Sequence, residues 1–155
     1  MPGQTLEQKI SVVKELGQLP EVTRGIKDNL NSLFQLRPYQ IETFSRFLYY
    51  INSSQFRQKP TQLLFHMATG SGKTLIMAGA LLYLYEQGYH NFIFFVNSTN
   101  IINKTRDNFL NPLSIKYLFS ENVTFGDKQV RIKEVDILTE FLFSIHTEKP
   151  GLFNL

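Results

Sequence analysis

Gln62-Leu63-Leu64-Phe65-His66-Met67, then Ala68-Thr69-Gly70-Ser71-Gly72-Lys73-Thr74, then an apolar run from Leu75: this stretch decides how the rest of the chain reads. The hexapeptide suits a buried strand, and Leu75 to Gln87 suits a helix buried on several sides, with no charge before Glu86. The segment between them has the composition of a phosphate-binding loop. Gly70 and Gly72 let the backbone turn tightly and bring its N–H groups against phosphate oxygens, where a Cβ would obstruct the approach. The N-terminus of the following helix adds partial positive charge. Lys73 would reach the β- and γ-phosphates as a point charge, and the Thr74 hydroxyl would complete the coordination of a Mg²⁺ that keeps several waters.

The usual form of this loop is G-x-x-x-x-G-K-[ST], and Met67 stands at its first glycine position. A bare Gly-Lys-Thr says little, but an expected strand before and helix after supply the context the motif needs. A mere strand-to-helix turn would use the same glycines. It would leave Lys73 unexplained, because the next turn of helix carries no acid to pair with it.

Working outward, 155 residues fit one domain with a sizeable core. A net charge of +3 permits a nucleic-acid partner without demanding one, and the Lys and Arg are scattered as on a solvated surface. The chain has no cysteine, which excludes disulfides, zinc clusters and thiol catalysis. Met1 to Glu7 lacks the basic and apolar regions of a signal peptide. No run reaches the roughly 18 apolar residues of a spanning helix, so a cytoplasmic protein with no membrane partner is expected.

Thr5 and Gln8 form a capping box ahead of Leu6, Ile10, Val13 and Leu16 at helical spacing, with Gly17 ending the run. A second helix is expected near Pro20, with Val22, Ile26, Leu30 and Leu33 on one face and Gly25 weakening it. Leu36-Arg37-Pro38-Tyr39-Gln40 opens a third, whose stripe is Ile41, Phe44, Phe47, Leu48 and Ile51. The Gln40 amide carries a donor and an acceptor side by side, the complement of an adenine edge, although a glutamine at a helix start is more often just solvated.

After a polar loop from Asn52 to Pro60 and the opening stretch, Gly88 ends the long helix. Asn91-Phe92-Ile93-Phe94-Phe95-Val96-Asn97 then reads as a central parallel strand covered on both faces, completing a right-handed βαβ unit. Ligands would collect at its C-terminal end, where Asn97-Ser98-Thr99 precede a helix through Asn103, Arg106 and Phe109. These groups, with Lys104 and Arg106 nearby, suit phosphate contacts. Equally, Ser98 or Thr99 would simply cap the helix.

Val123 to Lys133 reads as a hairpin, with Val130 and Ile132 inward and Arg131 and Lys133 outward. Asp136 is placed to cap a last helix carrying Ile137, Leu138, Phe141, Leu142 and Ile145.

Together, Leu36-Arg37-Pro38-Tyr39-Gln40, His66 to Thr74 and Phe94-Phe95-Val96-Asn97-Ser98-Thr99 resemble, in family order, successive motifs of superfamily 2 helicase-like ATPases. The likeness is closest to restriction subunits of type III, and less so type I, restriction-modification enzymes. It implies that Gln40 contacts adenine and that Thr69, Gly70, Ser71, Gly72, Lys73 and Thr74 hold ATP and Mg²⁺, with Lys73 the catalytic residue of the loop. It further implies that Asn97, Ser98 and Thr99 touch the nucleic-acid backbone, and that DNA and a modification subunit are the partners of the parent enzyme.

The expected fold is therefore α/β, an incomplete RecA-like P-loop domain with a mostly parallel sheet over residues 53–155, preceded by N-terminal helices over residues 1–52. No adjacent Asp-Glu pair occurs in the sequence, although the family uses one to hold Mg²⁺ and position the attacking water. The second RecA-like lobe and any nuclease motif are missing too, so the chain reads as the front of a motor, with slow turnover by itself. The rivals are a small P-loop phosphotransferase acting on a metabolite and a non-catalytic interaction module with a vestigial loop.

Overall fold

The computed structural model describes residues 3–137 and 140–147 of the chain. Its elements in order are helices α1 (Leu6–Glu15), α2 (Arg24–Lys27), α3 (Pro38–Asn52) and α4 (Lys73–Glu86), strand β1 (Asn91–Ile93), helix α5 (Thr99–Leu110), and strands β2 (Val123–Phe125), β3 (Lys128–Ile137) and β4 (Glu140–Thr147). They form two compact units. One comprises the chain up to Val22 with Leu36–Ile76, the other Thr23–Gln35 with the chain from Met77 onward.

In the first unit, α1 starts where the capping box places it. The Thr5 hydroxyl accepts from the Gln8 N–H at 3.2 Å, and the Gln8 side chain accepts from the Thr5 N–H at 2.9 Å. Ile10 and Val13 are buried, and Gly17, at φ +67°, ends the run. Pro38 opens α3, whose Phe44, Phe47, Leu48 and Ile51 are buried as the stripe requires, while Ile41 is not. Lys14 and Arg46 both bond the Glu42 carboxylate, at 2.7 and 2.9 Å, which ties α1 to α3.

The stretch from Gln62 to Met67 departs from expectation. Residues 61–68 belong to no strand, and Leu64 is 91% exposed. Phe65 leans on Phe47 of α3 with ring centroids 6.0 Å apart. That side contact is its cover, because an extended segment outside any ladder has no sheet neighbour to shield its other face.

In the second unit the described strands form one sheet of order β1-β4-β3-β2, and every pair is antiparallel. This corrects the expected mostly parallel sheet and the βαβ unit: the coarser reading, a mixed helix-and-strand chain, is the one that stands. β1 spans three residues and, among the described residues, pairs with β4 alone, and Ile93 and Phe95 remain 55% and 72% exposed. An edge position denies the apolar run of residues 91–97 the two-sided cover of a central strand.

The hairpin over 123–133 is present, with Val123 opposite Val130, Val130 buried, and Arg131 and Lys133 exposed. The helix expected after Asp136 is not. There the backbone continues as β3 and returns as β4, with Ile132 opposite Ile145, and Leu138 lies outside the described residues. The second helix is also shorter than expected. It closes after Lys27 because the chain turns to bridge Leu30 to Phe119, leaving Leu33 78% exposed.

Buried Asn29 fixes this region. Its amide donates to the carbonyls of Gly25 and Thr124, at 3.0 and 2.8 Å, and accepts from the Thr124 N–H at 2.7 Å. α4 carries Ala78, Leu82, Tyr83 and Tyr85 into this unit, all buried, as its apolar character predicts. No helix among the described residues is long and apolar enough to cross a membrane.

Candidate functional site

The loop of the opening stretch and the first turn of α3 meet in the first unit. Pro38 at the start of α3 places Tyr39 and Gln40 on that first turn. Gln40 is 5% exposed, which removes the solvated alternative. Its Oε1 accepts from the Arg37 N–H at 3.0 Å, and its Nε2 donates to the Ser71 carbonyl at 3.0 Å. Since the Arg37 N–H can only donate and the Ser71 carbonyl can only accept, the amide has one orientation. One N–H and one lone pair of that amide stay uncommitted, still a donor beside an acceptor.

The Tyr39 hydroxyl donates to the same Ser71 carbonyl, also at 3.0 Å. Tyr39 was not singled out from the sequence. The signal for it was its place beside Gln40 behind a helix-opening proline.

Ser71 is tied on its other side as well, its N–H and Oγ both donating to the Ala68 carbonyl, at 3.3 and 2.6 Å. Gly70 and Gly72 take φ values of +79° and +86°, a region that L side chains seldom enter. They differ in surroundings. A Cβ at Gly70 would meet nothing within 4 Å, whereas one at Gly72 would come 2.5 Å from Gln40 Nε2.

Lys73 Nζ donates to the carbonyls of Met67 and Ala68, at 3.0 and 2.9 Å, so the ammonium stands over the loop on neutral partners. Among the described residues, none accepts from the backbone N–H groups of Gly70, Gly72, Lys73 or Thr74. Donors of this kind at the start of a helix, beside an ammonium, fit a polyphosphate. The Thr74 hydroxyl suits a Mg²⁺ that takes its remaining ligands from water and phosphate. Thr69 sits exposed at the turn before Gly70.

A cleft of about 450 Å³ opens beside the loop, lined by Tyr39, Thr43, Arg46, His66, Met67 and Ser71 among others. A larger one, about 710 Å³, lies under α1, α3 and residues 62–67, and neither glycine lines it. The smaller is the one that borders the chemistry.

Asn97, Ser98 and Thr99 lie in the second unit, just before and at the start of α5. Ser98 occupies the cap position with no side-chain bond to the helix, so its hydroxyl is not spent on capping. Asn97 and Thr99 are exposed. Arg106, expected near phosphate, is instead held by Glu134 of β3 in a two-pronged pair, at 2.9 and 3.0 Å. A planar guanidinium matches a carboxylate edge to edge, so this arginine is committed inside the fold.

A glutamine on the first turn of one helix, a glycine-turned loop opening the next, and the hydroxyl cluster after β1 define, by their order along a mixed helix-and-strand chain, a helicase-like restriction subunit. The chain belongs to the family described as type III restriction enzyme, res subunit, whose model matches residues 33–149. It is similar to the probable type III restriction-modification enzyme HindVIP Res subunit of Haemophilus influenzae. The two are 36% identical over 155 residues, covering 92% of this chain and 28% of the relative. The chain therefore spans less than a third of that relative's length. No solved structure matches it. The family resemblance carried by the three motifs is borne out.

Proposed function

We propose that this chain is the ATP-binding front portion of a DNA-translocating Res subunit, with helical residues 1–52 leading into a partial RecA-like domain over 53–155. Gly70, Gly72, Lys73 and Thr74 hold the triphosphate and its Mg²⁺, Thr69 and Ser71 shape the loop, and the remaining donor and acceptor of Gln40 meet the adenine edge. Bound MgATP would supply the phosphoanhydride whose cleavage drives movement along DNA. Asn97, Ser98 and Thr99 contact the DNA backbone, and the whole subunit works in the cytoplasm with a modification subunit.

The observation that carries this reading is the set of N–H donors at the start of α4 without acceptors among the described residues, beside an ammonium resting on two carbonyls. A lysine held only by neutral oxygens exchanges them for phosphate oxygens at little loss, because the ammonium then meets an opposite charge in place of a carbonyl dipole. Calorimetry with MgATP should therefore detect binding, and Lys73→Ala should weaken it by at least about tenfold. Absence of heat and of any thermal shift with the unaltered chain would favour a vestigial loop instead.

The sequence has no adjacent Asp-Glu pair to hold Mg²⁺ and orient the attacking water. Turnover by this chain is accordingly expected to stay well below about 1 per second. A faster rate that Lys73→Ala abolished would show that other carboxylates do that work.

A further inference from the structure

Gly72 presents a mechanical problem to any loop that must offer its N–H to a phosphate. With no Cβ on the Gly72 side of it, the Ser71–Gly72 peptide turns over more easily than a peptide between two residues that both carry one. Each orientation presents a different group, because in a trans peptide the carbonyl and the following N–H point to opposite sides. The one cis peptide among the described residues is Lys59–Pro60, so this bond is trans.

The Ser71 carbonyl accepts from Tyr39 Oη and from Gln40 Nε2, each at 3.0 Å. Both of its lone pairs are thereby used, by donors more than thirty residues earlier in sequence. Gln40 is itself pinned by the Arg37 N–H, whereas Tyr39 is 40% exposed and depends on no other bond in this group. Holding the carbonyl toward α3 directs the Gly72 N–H away from α3, and that N–H has no acceptor among the described residues.

We infer that Tyr39 is a positioning residue of this site: with Gln40 it clamps the Ser71 carbonyl and so fixes the peptide that presents the Gly72 N–H to the polyphosphate of a bound nucleoside triphosphate. The inference rests on the nucleotide-binding reading above. It differs from a base-reading role in what it makes Tyr39 sensitive to. A tyrosine that stacks on or bonds the base affects only ligands that carry a base, while one that sets the loop affects any ligand that carries the phosphates.

The test uses Tyr39→Phe and Tyr39→Ala in the 155-residue chain, titrated calorimetrically with MgATP and with magnesium tripolyphosphate. Tyr39→Phe should weaken both ligands by a similar factor, about fivefold for one lost hydrogen bond. Tyr39→Ala should match it, since the ring itself does no binding. The thermal midpoint should fall by no more than one lost hydrogen bond accounts for, and the Gly72 amide resonance should broaden as the peptide begins to exchange between orientations.

Loss of ATP affinity with tripolyphosphate unaffected would overturn the inference in favour of base contact, as would unchanged affinity for both. A fall in thermal midpoint at unchanged affinity would overturn it in favour of a structural role. If the unaltered chain bound neither ligand, the nucleotide reading itself would fall, and this inference with it.

Discussion

Replacing Gly72 with alanine tests how the loop and α3 are joined, because the two glycines of the loop share a backbone conformation but not an environment. At φ +79° and +86°, an alanine at Gly70 or Gly72 alike carries the left-handed penalty of roughly 1–2 kcal/mol. At Gly70 the new methyl meets open space, and the penalty ends there. At Gly72 it would come 2.5 Å from Gln40 Nε2, closer than carbon and nitrogen approach without bonding.

The Gln40 amide has nowhere cheap to go. It is 5% exposed, and its two ends are held by the Arg37 N–H and the Ser71 carbonyl. Retreat breaks at least one of those bonds, adding about 1 kcal/mol. Gly72→Ala should therefore destabilise the chain by about 2–3 kcal/mol, against about 1–2 for Gly70→Ala.

Urea denaturation followed by far-UV circular dichroism reads both, and a double-mutant cycle isolates the contact. In a Gln40→Ala background the methyl has room, so the cost of Gly72→Ala should fall by about 1 kcal/mol, to that of Gly70→Ala. An undiminished cost in that background would refute the account, since the strain would then reside in the backbone alone.

Two further expectations concern what holds each unit together. Asn29→Ala, which strips three hydrogen bonds from an interior position in the second unit, should cost about 3 kcal/mol in the same urea measurement. In the first unit, the hydrogen bond from Lys14, aided by that from Arg46, holds the Glu42 carboxyl below the ordinary carboxylate range. A carboxylate whose folded pKa is depressed stabilises the fold above its unfolded value, near about 4.3, and loses that contribution as pH falls through the folded value. Glu42→Gln should thus lower the thermal midpoint slightly at neutral pH, in keeping with a partly exposed pair worth under about 1 kcal/mol, and should make no difference in acid.

Much of the helical part of the fold was legible because its signals are local. The Thr5 and Gln8 capping box, Pro38 at the head of α3, and Gly88 after α4 each act within one turn of the backbone they shape. The strands were not legible in the same way. Residues 62–67 and 91–97 have the composition of covered strands, but whether an apolar run is covered depends on which chain segments lie beside it, and no local rule names them. Hence Leu64 and Phe95 remain exposed despite the pattern around them. The run from Asp136 had apolar residues compatible with helical spacing, and only its register against β3 decided for strand.

At the candidate site the division falls differently. Gly70, Gly72, Lys73 and Thr74 are recognisable because a phosphate loop is built largely from main chain, and the glycines that free that main chain are written in the sequence. Gln40 was recognisable only through resemblance, since nothing about a glutamine on a first helical turn distinguishes a buried amide from a solvated one. Tyr39 had no signal beyond its place beside Gln40, because its partner is a carbonyl, a group every residue has, more than thirty positions away. Side chains that act on backbone leave no complementary residue type to find. The same reasoning locates where the loop is open to change: its glycines are fixed by conformation, but the peptide between Ser71 and Gly72 is held by side chains from another helix. A substitution on the first turn of α3 can therefore alter how the loop meets phosphate without touching the loop itself.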